Sequence, residues 1–217
     1  MRSDNFWVYF DEHRKLLDHR ANSFAKVFEY LDGFDRPVTI VETGCTRNPT
    51  SIGWTGDGCS TILFDRYAQH HPDSIVRSVN IDHESVDQCR VFVSDCTEIH
   101  ADDSVHFLAT GAGGSGIIDL LYLDSYDVVL ATPDPAAAHC LKEFAAAVPL
   151  LRERTLVVVD DCPLVFYAIA VRMTELRSIS EPVITGKGKF IAEYANQVGA
   201  DMLFQDYQCG WNRMVRS

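Results

Sequence analysis

The side chains able to do chemistry in this chain are mostly carboxylates, and they recur in one setting. Glu42 closes the apolar run "VTIVE", Asp82 follows "IVRSVNI", and Asp102 and Asp103 follow "EIHA". Asp124 follows "IDLLYL", and Asp160 and Asp161 follow "TLVVV". Each run has the length and the β-branched content of a strand, so five successive strands end on an acid. Open α/β sheets bind ligands outside the carboxyl ends of their strands, near the point where strand order reverses. Carboxylates gathered there can grip ribose hydroxyls, take up a proton, attract a cation or ligate a hard metal. Each also has a plainer use. Asp82 and Asp103 stand where helix N-caps stand. Glu42 could pair with Arg47, and Asp160 or Asp161 could cap whatever follows.

The loop after Glu42 carries the second signal. Gly44 follows the first strand, but further glycines come only at Gly53, Gly56 and Gly58, ahead of "CSTILFDRY". A dinucleotide loop packs its glycines tightly so that backbone N–H groups can approach a pyrophosphate. Here the loop is long and acidic, with Glu42 and Asp57 near its mouth. That suits S-adenosylmethionine (SAM), which carries a sulfonium cation and no phosphate. Asp82, about 40 positions after Gly44, stands where ribose hydroxyls would be held.

Asp124, Asp160 and Asp161 lie at the ends of neighbouring strands, where three carboxylates can converge. Three unpaired anions at close range raise one another's pKa and repel. A hard divalent cation such as Mg²⁺ would resolve that and could hold an acceptor hydroxyl in line for attack. For the proton itself, Asp124, His139 and Asp127 are alternatives. "TGKGKFIAEY" places Lys187 and Lys189 before a helix, as either an anion-binding loop or a solvated turn.

These residues need a frame. Strands are expected at 38–43, 75–81, 97–101, 117–123, 155–160, 202–207 and 211–216. Helices are expected at 5–31, 59–70, 84–93, 103–109, 135–149 and 187–198. Strand–helix alternation implies a parallel sheet with right-handed crossovers, and "IIDLLYL" and "TLVVV" imply burial on both faces. The last two strands are too close in sequence for a crossover and should form an antiparallel edge hairpin. The expected fold is a single-domain Rossmann-like α/β/α sandwich with a seven-stranded, mostly parallel sheet. Residues 1–36 would form a helical cap and 37–217 the ligand-binding domain.

Composition narrows the partners. The 217 residues hold 19 Lys and Arg against 31 Asp and Glu, a net charge of −12, which disfavours nucleic acid. No apolar run approaches the ~20 residues of a membrane span, and the N-terminus is too charged for a signal peptide. The seven cysteines form no CxxC and no zinc spacing. Reduced, buried thiols in a cytoplasmic protein are expected. Cys45 and Cys59 flank the glycine loop, but neither has a His neighbour to activate it. An aromatic N-terminal helix leaves a homodimer open.

In order and register, "VETGCTRN…GDGCST", "SVNIDHES", "ADDSVHFL", "IDLLYLDSYD" and "LVVVDDCP" resemble the class I SAM-dependent methyltransferases. They are most similar to the small Mg-dependent O-methyltransferases, of macrocin and novobiocin sugar type and catechol type. The resemblance spans residues 38–165 and is specific as a set. It implies that Glu42, Gly44 and Ser60 line the methionine end of SAM, that Asp82 holds the ribose, and that Asp103 and Ser104 lie near the adenine. Thr43 and Asp124 would complete the cofactor site, and Asp124, Asp160 and Asp161 would hold Mg²⁺. Methyl transfer to a hydroxyl of a small molecule is the implied activity. Metal-independent N- or O-methylation and a catalytically idle SAM-binding module are the alternatives. The stretch 47–56 is longer than the family's loop, and substrate specificity would sit in 162–186.

Overall fold

A computed structural model describes residues 2–215, apart from 113, 115, 130, 166–167, 173–174 and 179–182. The chain begins with two helices, α1 (Asp4–Arg14) and α2 (Ala21–Asp32). One continuous helix over 5–31 was expected; instead the helix breaks before a 3-10 turn at Asp18–Arg20, where Asp18 has φ 47°. The break lets both helices lay their aromatic faces on the same surface. Phe6, Phe10, Phe24 and Phe28 meet one another and reach Phe64, Tyr67 and Tyr122.

The alternating part follows: β1 (Thr39–Thr43), α3 (Ser51–Asp57), α4 (Ser60–Gln69), β2 (Ile75–Asn80), α5 (His83–Arg90), β3 (Thr97–Ala101), α6 (Ser104–Ala109), β4 (Leu120–Leu123), α7 (Asp134–Ala147) and β5 (Leu156–Val159). Short strands come next: β6 (Leu164–Val165), β7 (Ala168–Arg172), β8 (Glu175–Ser178) and β9 (Val183–Ile184). The chain ends with α8 (Lys189–Val198), β10 (Asp201–Gln205) and β11 (Cys209–Asn212).

The main sheet has seven strands in the order β10-β11-β5-β4-β1-β2-β3. Pairings from β5 through β3 are parallel, while β11 runs antiparallel to both β5 and β10. This is the expected mostly parallel sheet with an antiparallel edge pair. The hairpin lies up to four residues earlier than the apolar pattern suggested, because the sheet takes in the buried Cys209 and Gly210 and ends at Asn212.

Alternation across the pleat builds a core on each face. Ile40, Leu120, Tyr122, Leu156 and Val158 face α1, α2 and α4. Val41, Leu121, Leu123, Val157 and Val159 face α6, α7 and α8. Strands buried on both faces must be apolar at nearly every position, so their first polar residue marks the rim. No described helix is long and apolar enough to cross a membrane.

Within 162–186, β6 pairs with β9 and β7 with β8. The expectation that this stretch carries specificity lies partly outside the described residues.

Candidate functional site

Two adjoining cavities open at the carboxyl end of the sheet. The first, of about 220 Å³, is lined by Gly44, Cys45, Thr46 and Arg47 after β1, Asn80 and Asp82 after β2, and Asp124, Ser125 and Asp127 after β4, with Asp57, Ser60 and Ser85 closing it. It sits at the switch point, since β2 and β3 lie to one side of β1 and β4 and β5 to the other. The second, of about 390 Å³, shares Arg47, Asp57, Asp124 and Asp127 and adds Arg20, Gly56, Val128, Asp161, Pro163 and Tyr207. Asp124 is therefore on a wall common to both.

Gly44 makes the floor possible. Its φ of +91° is a glycine conformation, and a Cβ there would stand 2.7 Å from the Asp124 carbonyl oxygen. Its N–H donates to Val79 O at 2.8 Å, tying the β1 loop to β2. Below the floor, Glu42 is buried and accepts hydrogen bonds from Ser60, Thr61 and Ser78, the last two at 2.7 Å. Burial pushes its carboxyl up to about 7, against the pull of those three hydroxyls. Thr61 also accepts from Thr46 N at 2.9 Å, and Thr43 Oγ1 from Asp124 N at 3.2 Å. Gly44 and Ser60 reach the cavity wall, whereas Glu42 and Thr43 brace it from beneath. Arg47 pairs with Asp57 and Asp127, not with Glu42. Burial raises the Cys59 thiol to about 12, which removes it as a nucleophile.

Asp82 serves two ends at once. It caps α5, accepting from Ser85 N at 3.1 Å, and it lines the first cavity. The bonds from Ser85 hold its carboxyl below the usual range. Asp103 caps α6 through His106 N at 2.9 Å, and Ser104 Oγ contacts His139 Nε2 at 3.2 Å. Neither Asp103 nor Ser104 is on the walls of these two cavities. His139 is also off both walls. The same Nε2 lies 3.5 Å from Glu143, whose hydrogen bond raises the imidazole pKa, and Ser125 donates to Glu143. A nucleophile–base–acid relay needs both ring nitrogens, so these contacts do not form one.

Asp124, Asp160 and Asp161 do converge, but around side-chain cations. Arg20 Nε donates to Asp160 Oδ2 at 2.9 Å and to Oδ1 at 3.2 Å, and Arg20 Nη2 reaches Asp161 Oδ1 at 3.4 Å. Tyr122 OH donates to Asp160 Oδ2 at 2.8 Å, and the Asp161 amide to Oδ1 at 2.7 Å. Tyr207 OH donates to Asp161 Oδ1 at 2.6 Å. Lys187 Nζ bridges Asp124 Oδ1 and Asp161 Oδ2, the latter at 2.9 Å.

The expectation that these three aspartates hold Mg²⁺ does not fit this arrangement. Asp160 is fully buried and takes three donors, Tyr122 OH, the Asp161 amide and an Arg20 Nε shared between its two oxygens, which leaves little room for an ion. Two cations already offset three anions. Among the described residues, no three His, Cys, Asp or Glu side chains are arranged to share an ion. The expected repulsion is met by Arg20, 140 residues from Asp160, and by Lys187, 63 from Asp124.

Lys187 also corrects both expectations for "TGKG". It is neither solvated nor free to meet an anion: it is 2% exposed and ion-paired. Burial opposes its charge, but Asp124 and Asp161 more than compensate and raise its pKa above the usual lysine range. Sequence reasoning gave no role to Arg20, Tyr122 or Tyr207. A charged residue on the apolar register of an N-terminal helix was the available signal for Arg20. Paired glycines around one lysine were the signal for Lys187.

No family model matches the chain, and no curated protein matches it. Solved structures do. One is CalS11, a calicheamicin methyltransferase, at 11% identity and TM-score 0.52, covering 98% of this chain and 94% of that one. Another is DesVI of Streptomyces venezuelae, at 12% identity and TM-score 0.50, covering 98% and 99%. MycE from mycinamycin biosynthesis, solved with Mg, SAH and mycinamycin VI, matches at 18% identity and TM-score 0.40 over 71% of this chain. This chain spans 31% of that structure's length, and 37% of a second MycE structure. The fold is therefore the Rossmann-like fold found in SAM-dependent methyltransferases.

Proposed function

We propose that this chain is a SAM-dependent methyltransferase acting on a hydroxyl oxygen of a small molecule, a sugar or a natural-product intermediate. The observation that carries this reading is the placement of Asp124 on the wall shared by two cavities, one of them at the switch point of the sheet. A methyltransferase needs that layout: a cofactor pocket, an acceptor pocket, and a proton acceptor between them.

SAM, once bound, supplies an electrophilic methyl group on a sulfonium. The first cavity sets four carboxylates against one guanidinium, a lining that attracts a cation and repels pyrophosphate. In this reading Asp82 takes the ribose hydroxyls, Gly44 and Ser60 the methionine end, and Asp103 and Ser104 stay toward the adenine end. Glu42 and Thr43 act through the loop they brace. Asp124 Oδ1 is held by Lys187, while Oδ2 has no donor among the described residues. Burial raises the proton affinity of the Asp124 carboxyl, and the Lys187 ammonium beside it opposes that shift. We assign it the acceptor proton; His139, off both walls, is not given that part. Asp124 would take the hydroxyl proton as the acceptor oxygen gains the methyl group that bound SAM would supply from its sulfonium.

Residues 37–217 would form the SAM-binding domain and 1–36 a cap that sends Arg20 into the acceptor cavity. All seven cysteines are free, in keeping with a cytoplasmic protein. A sugar acceptor is suggested by the structural neighbour described as a TDP-rhamnose 3'-O-methyltransferase.

Calorimetry with SAM, SAH and NAD tests the reading: SAM and SAH should bind and NAD should not. A folded protein that fails to bind SAM at millimolar concentration would end it. Binding without turnover on a panel of hydroxyl and amine acceptors would favour an idle binding module.

A further inference from the structure

Lys187 is placed by unusual backbone. Gly186 has φ +63°, and a Cβ there would lie 2.0 Å from the Asp161 carbonyl oxygen. Lys187 N donates to that same oxygen at 3.1 Å. A Cβ on Gly188 would stand 2.5 Å from Cys162 Sγ. The two glycines thus press the loop onto the segment that follows β5, and the lysine between them turns inward. Its ammonium ends between Asp124 and Asp161, directly behind the wall that the two cavities share. Asp161 itself has φ 50°, a left-handed conformation that Asp tolerates better than most side chains.

We propose that Lys187 is a positioning residue that stands in for a divalent cation, so that this centre works without metal. The proposal deepens the methyltransferase reading and rests on it for its catalytic meaning. A buried ammonium can fix one oxygen of Asp124 and leave the other facing the acceptor. It cannot coordinate the acceptor oxygen, because 2% exposure keeps it behind the carboxylates. The two devices are mutually exclusive: Mg²⁺ is commonly held by one or two carboxylates plus water, and here those two carboxylates hold a lysine. Removing the ammonium should therefore create a metal site. Asp124 and one oxygen of Asp161 would be released, while Arg20 keeps Asp160 neutralised.

The test titrates Mn²⁺ into purified wild type and Lys187→Ala, following free Mn²⁺ by electron paramagnetic resonance, with circular dichroism to confirm folding. Wild type should show no saturable, stoichiometric Mn²⁺ site, only weak uptake by its acidic surface, and its thermal midpoint should be the same in EDTA and in Mg²⁺. Lys187→Ala should bind Mn²⁺ at least about tenfold more tightly, a 1.4 kcal/mol effect. A structural lysine would not confer that gain. A saturable Mn²⁺ site in wild type, a midpoint raised by Mg²⁺, or a folded Lys187→Ala with no gain in Mn²⁺ affinity would each overturn the proposal. Should Lys187→Ala not fold, the two wild-type measurements decide. Wild-type turnover, where an acceptor is found, should be unchanged in EDTA. Absence of SAM binding would defeat the methyltransferase reading and leave the metal result standing.

Discussion

The two halves of the rim use the same residue type in opposite ways. On the β1–β2 side, Asp82 lines an open cavity and is hydrogen-bonded by its own helix, and Asp57 pairs with Arg47, 10 residues away and half exposed. On the β4–β5 side, Asp160 and Asp161 are held by Arg20, Lys187, Tyr122 and Tyr207. A carboxylate at a strand end thus faces a cavity on one side and is half of an internal charge network on the other. What separates the cases is whether a distant segment delivers a cation. Asp124 belongs to both, with one oxygen on Lys187 and a place on both cavity walls.

The sharpest way to break this contrast is to remove the cation from the sealed side. Arg20→Met leaves Asp160 buried and unpaired, which should cost about 3–5 kcal/mol in urea unfolding. A loss below about 1 kcal/mol would mean that Asp160 does not depend on Arg20.

Next in size is Glu42, which is buried on the open side with hydroxyls around it and, among the described residues, no paired cation. Its folded pKa is raised from 4.5 to about 7, so the folded state holds the proton more tightly than the unfolded chain. The stability this contributes is fully present below pH 4.5 and is lost as pH rises through 7, up to about 3 kcal/mol at 1.4 per unit. Chemical denaturation of wild type and Glu42→Gln across that window checks it: the slope should be shallower in the variant by up to about 1.4 kcal/mol per pH unit. Equal slopes would show that Glu42 is not its source.

This contrast also marks what the sequence could disclose. Strands buried on both faces have a nearly continuous apolar signature, so β1, β4 and β5 and the acids that end them were legible. Asp82 and Asp103 were legible as caps because a cap is local, three residues from its partner. Arg20 and Lys187 were not, since a pairing across 140 or 63 residues leaves no periodic trace. The short α3, the 3-10 break at Asp18–Arg20 and the β6–β9 pairing were missed for a similar reason: tertiary contacts, not propensity, hold such brief elements.

Two smaller effects refine the comparison. Asp82→Ala should destabilise the fold by about 1 kcal/mol through loss of the α5 cap, whereas Asp82→Ser, which can still cap, should not. Thermal unfolding distinguishes them, and equal losses would show that the carboxylate itself, not the cap, is what matters there. Smallest of all, Lys189→Ala should cost under about 0.5 kcal/mol, because its ion pair with Asp134 is largely solvated. A loss of several kcal/mol there would erase the distinction drawn between Lys189 and its buried neighbour Lys187.

Asp82→Ser also supplies the most direct test of the central claim, that the first cavity holds SAM by its ribose. Calorimetric titration of SAM into wild type and this variant compares two proteins whose α5 helix is capped alike. The variant should bind SAM at least about tenfold more weakly, since a charged hydrogen bond contributes ~1.5–3 kcal/mol. Equal affinity in a folded Asp82→Ser would contradict the assignment and place the cofactor elsewhere on the rim.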